Sequence, residues 1–353
     1  MNNDSSLLHR AEALLEQRLL PEALECFHRA EAAGADAARC CGGRWIASAL
    51  QGDLDAAWHE SDAIRSHGGP DPHRFWQGED ISGKRVIVRC LHGFGDTVQF
   101  LRYAPLLRSR CENIVVECAP QAVELIRCIS GVDEVISWGA DAPPIPPTWD
   151  VQIEVMELPY LFRSSLSELP IATNYLRLSW ADLFRAHNAL GPSSLPRVGI
   201  VWSSGEWNPS RNLPFEFLPR LLSRKDCQFW NLQGGRSRTR WQTLGSSPHL
   251  KDSPLLSDAG LVPLASVVAQ LDLVITVDTL AAHLAGALNV PCWLLLQHAA
   301  DWRWMIDRDD SPWYPSLRLF RQPVAGDWQG VVDRVSQELQ TWVAERPYAR
   351  AVA

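Results

Sequence analysis

Three short stretches hold polar side chains that can do chemistry, each where an apolar run gives way to a helical pattern. The first is "RVIVRCLHGFGDTVQF", residues 85–100. Gly93 and Gly95 open the helix, and Asp96 and Thr97 come at once after them. The two glycines would let an acceptor approach the backbone, so Gly93, Gly95 and Thr97 are candidate substrate-binding residues. A dinucleotide fold would put a pyrophosphate at this mouth and a third glycine where Val98 stands. Glu117, ending the next apolar run, has the place of a ribose-binding acid. The Asp96 carboxylate, however, would repel a pyrophosphate at close range. Asp96 fits two other, compatible roles. It can cap the helix by accepting hydrogen bonds from the first turn. It can also stand ionised at a cleft mouth and take a proton from a sugar hydroxyl.

The second stretch is "LDLVITVDTLAAHLAGAL", residues 271–288. A buried run ends at Asp278 and flows into a helix. The N–H groups of Thr279, Leu280 and Ala281 then form an anion site. Thr279 adds a hydroxyl, and Asp278 can grip a sugar hydroxyl. His283, one turn along, either reaches the same anion or is a core histidine. The third stretch is "VGIVWSSGEWNPSRNLP", residues 198–214. Ser203 and Ser204 end its apolar run, and Arg211 precedes the next helix. Arg211 is either a solvated loop residue or a cation that neutralises a leaving diphosphate in place of a metal.

Other chemistries find little support. Asp307-Arg308-Asp309 has D-x-D spacing but comes after no apolar strand, so it reads as a solvated turn. No His/Cys ligand spacing occurs, and neither a metal nor another cofactor is expected. Nine cysteines contain no C-x-x-C pair and read as buried free thiols. There is no G-x-S-x-G elbow for acyl transfer.

The elements that must position these residues fall into blocks. The chain has 353 residues and is 46% hydrophobic, enough for two or three cored domains. Residues 1–68 have helical spacing and a faint repeat: Leu14, Ala23 and Ala30 recur 33 positions on as Ala47, Ala56 and Ala63. A period near 34 resembles tetratricopeptide repeats, although Glu60 stands where Phe27 would recur. So short a helical segment must dock on the rest of the chain, and it offers a surface to a protein partner. Residues 69–83 are a linker dense in Gly and Pro. Residues 84–190 alternate strands and helices, with "GADAPPIPPTWD" as a surface loop. Residues 191–326 repeat the alternation, and residues 327–353 form a terminal helix. This pattern predicts an α/β fold: two parallel-sheet domains facing each other, with ligands at the carboxyl ends of the strands. "FWNLQGG" ends a strand there with Gln233.

A net charge of −8 without a basic stripe speaks against nucleic acid. The N-terminus lacks a signal-peptide pattern, and runs such as "CWLLL" fall far short of the ~20 residues that span a bilayer. A cytoplasmic protein that does not span a membrane is expected.

Together "GFGDTVQFLRYAPLL", "VGIVWSSG…RNLP", "LDLVITVDTLAAHLAGALNVPCWLLL", "DWRW" and "DSPWYPSLRLFRQ" resemble glycosyltransferase family 9. The likeness is to its tetratricopeptide-fused branch, related to the ADP-heptose:lipopolysaccharide heptosyltransferases, and covers roughly residues 75–343. It implies a GT-B fold of two facing Rossmann-like domains, with the last helix crossing back to the first. It also implies inverting, metal-independent transfer from a nucleotide sugar, such as ADP-heptose, to a hydroxyl on a glycan or protein. Asp96 matches the family's proposed base. Asp278, Thr279 and His283 match its donor-binding segment, Arg211 its basic loop residue, and Gln233 its nucleotide pocket. Leu91-His92 departs from the Glu-Gln pair of repeat-fused relatives. That departure supports an alternative: a catalytically degenerate chain that binds a nucleotide sugar or a protein.

Overall fold

The computed structural model describes residues 3–67, 76–139, 149–170, 174–205, 208–256 and 260–345. Part of the expected linker, most of the proline-rich loop and the last eight residues lie outside them.

The chain begins with four helices: α1 (Asn3–Glu16), α2 (Leu20–Ala32), α3 (Ala37–Gln51) and α4 (Leu54–His67). α1 packs on α2, α2 on α3, and α3 on α4. Small residues permit this. Phe27 is fully buried, and a Cβ at Gly43 would fall 2.1 Å from its ring. Asp36 caps α3 by accepting from Arg39 N at 2.8 Å, and left-handed Gly52 ends it.

The first sheet is parallel, in the order β3-β2-β1-β4, with β1 (Arg85–Arg89), β2 (Asn113–Cys118), β3 (Glu134–Ser137) and β4 (Val151–Glu154). Its helices are α5 (Phe94–Phe100), α6 (Ala104–Arg108), α7 (Val123–Ile126) and α8 (Leu158–Leu161). α9 (Trp180–Leu190), capped by Ser179, leads into the second unit.

The second sheet is parallel too, in the order β10-β9-β8-β5-β6-β7. Its strands are β5 (Arg197–Val201), β6 (Gln228–Asn231), β7 (Leu250–Asp252), β8 (Leu273–Val277), β9 (Cys292–Leu296) and β10 (Leu317–Arg321). β5, β8 and β9 are buried along their whole length, as strands covered on both faces must be. The helices are α10 (Leu218–Leu221), α11 (Leu261–Val268), α12 (Leu280–Ala287) and α13 (Trp328–Ala344).

Two boundaries differ from the sequence reading. α9 lies before residue 190 yet packs on α11, so it belongs with the second unit. Over its described residues the terminal helix packs on the second domain, where the resemblance implied a return to the first. Val331, Val332, Val335, Leu339 and Val343 share a core with Val198, Phe229, Leu273 and Phe320 of the second. Its apolar stripe matches that sheet's outer face, so nothing draws it across.

A second, larger core runs without a break from the first sheet into the inner face of the second. α5 packs directly on α12, and α7 on α11. The helical segment clasps both units. On the first domain, Trp58 Nε1 donates to Ser164 O at 2.8 Å, and Asp62 pairs with Arg163 at 2.6 Å. On the second, Arg18 Nη2 donates to Ala300 O at 3.0 Å, and Ile306 N donates to Leu50 O at 3.0 Å. Trp45 meets Trp302 edge-on at 5.2 Å between centroids. The patches of α3 and α4 that make these contacts are not available to a partner. All nine cysteines are free.

Candidate functional site

Strand order places the chemistry. In each parallel sheet the chain winds outward in both directions from one pair of neighbours, β1/β4 in the first and β5/β8 in the second. A crevice opens beyond the carboxyl ends of such a pair. The loop after β1 carries Gly93–Asp96. The loops after β5 and β8 carry Ser203–Ser204 and Asp278–Thr279. The two crevices meet because α5 packs on α12. A Cβ at Gly95 would come within 2.7 Å of the His283 ring. Gly95 therefore serves close helix approach, where the sequence suggested ligand approach.

Asp96 caps its helix from the third helical position; Gly93 itself occupies the N-cap. Asp96 Oδ2 accepts from Gly93 N at 3.1 Å, and Thr97 Oγ1 donates to Gly93 O at 3.2 Å. The other carboxylate oxygen, Oδ1, accepts from Arg303 Nη1 at 2.6 Å. The Asp96 side chain keeps 23% of its surface exposed, enough to touch a ligand in the cleft.

Across the seam, buried Asp278 lies 3.8 Å from Arg211 Nη1. Burial pushes its carboxyl up from the usual range, while Arg211 and Arg303 pull it down. Thr279 is the N-cap of α12. Its Oγ1 accepts from Ala281 N at 3.3 Å and lies 3.1 Å from Thr276 Oγ1. Of the three N–H groups expected to face an anion, that of Ala281 is thus engaged by the cap. Leu280 is half-buried beside it.

His283 is enclosed. Its Nδ1 is 3.2 Å from Tyr314 Oη, and its ring packs 5.6 Å from Trp304. Burial, reinforced by Arg303, Arg102 and Arg211, holds its pKa well below the ordinary value. It is a neutral spacer between helices and brings no charge to a phosphate.

Gln233 is fully occupied by the floor of the crevice. Oε1 accepts from Trp202 N at 3.1 Å and Ser203 N at 2.9 Å, and Nε2 donates to Ser203 O at 2.9 Å. It shapes the Ser203 loop. Ser203 Oγ accepts from Ser237 Oγ at 3.2 Å, and Ser204 N donates to Asn212 Oδ1 at 2.7 Å. Arg211 closes the short turn Pro209–Arg211.

Three residues that neighbour the candidate site were not singled out in the sequence. Arg303 lies in the turn Trp302–Trp304, buried between the two domains. Arg102 is also buried; its Nε donates to Gln99 O at 2.8 Å and its guanidinium lies 4.3 Å from the Tyr314 ring centroid. Glu154 ends β4, accepts from Met156 N at 2.8 Å and lies 3.6 Å from His92 Nε2. Burial pushes its carboxyl up. The available signal for Arg303 was an arginine between two tryptophans, "WRW". For Glu154 it was an acid closing the strand beside β1. Asp307 and Asp309 are exposed. Among the described residues, no group of three or more His, Cys, Asp or Glu side chains could hold a metal ion. Among them, no helix is long and apolar enough to cross a membrane.

The architecture has counterparts among solved structures. A family 9 glycosyl transferase from Veillonella parvula superposes with a TM-score of 0.57 over 76% of this chain and 99% of its own, at 12% identity. The E. coli ADP-heptose lps heptosyltransferase II does so with a TM-score of 0.56 over 74% and 99%, at 14% identity. The fold is GT-B. Both counterparts match from end to end, so the GT-B unit accounts for about three quarters of this chain. No protein-family model matches. Among curated proteins, protein FlbA of Caulobacter vibrioides is 26% identical over 337 residues, 83% of this chain. The chain spans about half, 53%, of that relative's length.

Proposed function

We propose that this chain is a glycosyltransferase that moves a sugar from a nucleoside diphosphate donor to a hydroxyl acceptor. One observation carries the reading. The switch-point loops of two GT-B domains meet, bringing a partly exposed carboxylate, Asp96, opposite an Asp-Thr helix mouth flanked by an arginine.

The donor lies at the β5/β8 crevice of the second domain. Its diphosphate faces the start of α12, with Arg211 as counter-charge, and Asp278 takes a sugar hydroxyl. The acceptor enters from the β1/β4 crevice. Asp96 removes its proton as the acceptor oxygen bonds to the anomeric carbon and the bond to the diphosphate breaks. Attack from the face opposite the diphosphate inverts the anomeric centre. General-base help is typically worth about 10²–10⁴-fold, and stabilising the departing charge supplies a further large share. ADP-heptose is the first donor to test, since the heptosyltransferase II with this fold is named for it.

Calorimetric titration with ADP-, UDP- and GDP-sugars tests the donor site. One of them binds the wild-type chain, and Arg211→Gln weakens it about tenfold, the loss of one charge-assisted contact. If the variant binds that sugar as tightly as the wild type, the donor is misplaced.

A further inference from the structure

One residue of the second domain, Arg303, forms an ion pair with Asp96 of the first. Arg303 is buried, with 6% of its surface exposed, and its guanidinium reaches into both halves of the molecule. Toward the first domain, Nη1 donates to Asp96 Oδ1 at 2.6 Å and to Gln99 Oε1 at 3.1 Å. Toward its own domain, Nε donates to Asp301 Oδ1 at 2.8 Å. Asp278 also lies close enough to favour its charge. The planar fork directs these bonds at fixed angles, which a flexible lysine ammonium does not.

The surroundings hold that fork still. The guanidinium lies 5.5 Å from the Phe100 ring centroid and 5.9 Å from that of Trp302. Trp302 stacks on Phe100 at 6.4 Å, meets Trp313 edge-on at 5.9 Å, and is buttressed from outside by Trp45 of the helical segment. Asp96 sits in the first turn of its helix, and besides Arg303 it is held by a bond from Gly93 N at 3.1 Å.

We propose that Arg303 is a positioning residue for the transferase reaction: it orients the Asp96 carboxylate from the donor domain, so the base is aligned only while the two domains are docked. The inference rests on the glycosyltransferase reading. It predicts that Arg303 acts through Asp96 and not on the donor, although Arg303 lies near donor-side Asp278.

The test is a double-mutant cycle read as ADP release from ADP-heptose, alongside calorimetric ADP affinity. Arg303→Gln lowers kcat about a hundredfold, the scale of a reacting group displaced by about 1 Å, with ADP affinity within about threefold of wild type. Retained ADP affinity also shows that the variant is folded. Arg303→Lys, which keeps the charge without the fork, recovers part of the loss. The double variant Asp96→Asn/Arg303→Gln turns over no more slowly than Asp96→Asn alone. Multiplying losses in the double variant, or a tenfold loss of ADP affinity in Arg303→Gln, overturn the inference and make Arg303 an independent or donor-binding group. A wild-type chain that neither binds ADP nor consumes ADP-heptose overturns the ADP-heptose reading beneath it.

Discussion

Replacing Gly95 by alanine sets two effects of opposite sign against each other. Gly95 lies within α5, where alanine is favoured over glycine by about 1 kcal/mol. If α5 faced only solvent or an open cleft, the variant would gain most of that. The structure puts the new Cβ 2.7 Å from His283 Cδ2 and 3.1 Å from Nε2. Carbon atoms in contact prefer about 3.5–4.0 Å, so the ring must retreat by most of an ångström. It has nowhere to go, being tied to Tyr314 and packed on Trp304. Overpacking of this kind costs about 1–3 kcal/mol, so the variant ends near 1 kcal/mol less stable. Scanning calorimetry reads this as a melting point lower by about 2 °C. Gly234→Ala, with nothing within 4 Å of its Cβ, is the control and should not melt lower. A Gly95→Ala chain that melts higher than wild type would show that α5 and α12 are not in contact, and the shared site would be lost with them.

Stability should also depend on pH through His283. Its folded pKa is depressed, so the native chain binds fewer protons there than the unfolded chain. The contribution is whole above about pH 6.5 and is lost progressively as pH falls below it, by at most about 1.4 kcal/mol per pH unit. Denaturant midpoints should therefore fall more steeply with acid in the wild type than in His283→Asn. Equal slopes between about pH 6.5 and 5 would contradict the buried neutral imidazole. Trp45→Ala removes the edge contact with Trp302, and loss of a half-buried tryptophan should cost about 2 kcal/mol. Limited proteolysis should then cut the helical segment faster, and an unchanged cleavage rate would deny that it is docked.

Much of the fold was legible because parallel α/β units write themselves clearly. Apolar runs of strand length, each giving way to Gly, Ser or Asp, marked β1, β5 and β8 and the three loops that matter. β7 and β10 were not read as strands: one spans three residues with little burial, the other alternates with charged Arg318 and Arg321. The terminal helix was assigned to the wrong partner because its apolar stripe says only that it packs, not against what.

The site divides the same way. Asp96, Asp278, Thr279 and Arg211 could be singled out as candidates because strand-to-helix mouths have local signatures. Gln233 and His283 were found too, but their side chains shape the loop and the helix seam. Arg303 and Glu154 join the cluster through the packing of elements far apart in the chain; the local signals they carry, an arginine between two tryptophans and an acid closing a strand, do not say what they meet. Gly95 read as a glycine for acceptor approach because a close approach demands glycine whether the visitor is a ligand or a histidine.

The central claim is that Asp96 acts on the acceptor while the second domain holds the donor. Asp96→Asn separates the two most directly, measured as ADP-sugar binding by calorimetry and nucleoside diphosphate release by coupled assay on one preparation. Donor affinity should stay within about twofold of wild type while turnover falls by about a hundredfold or more. Near-normal turnover, or donor binding lost together with turnover, would contradict it.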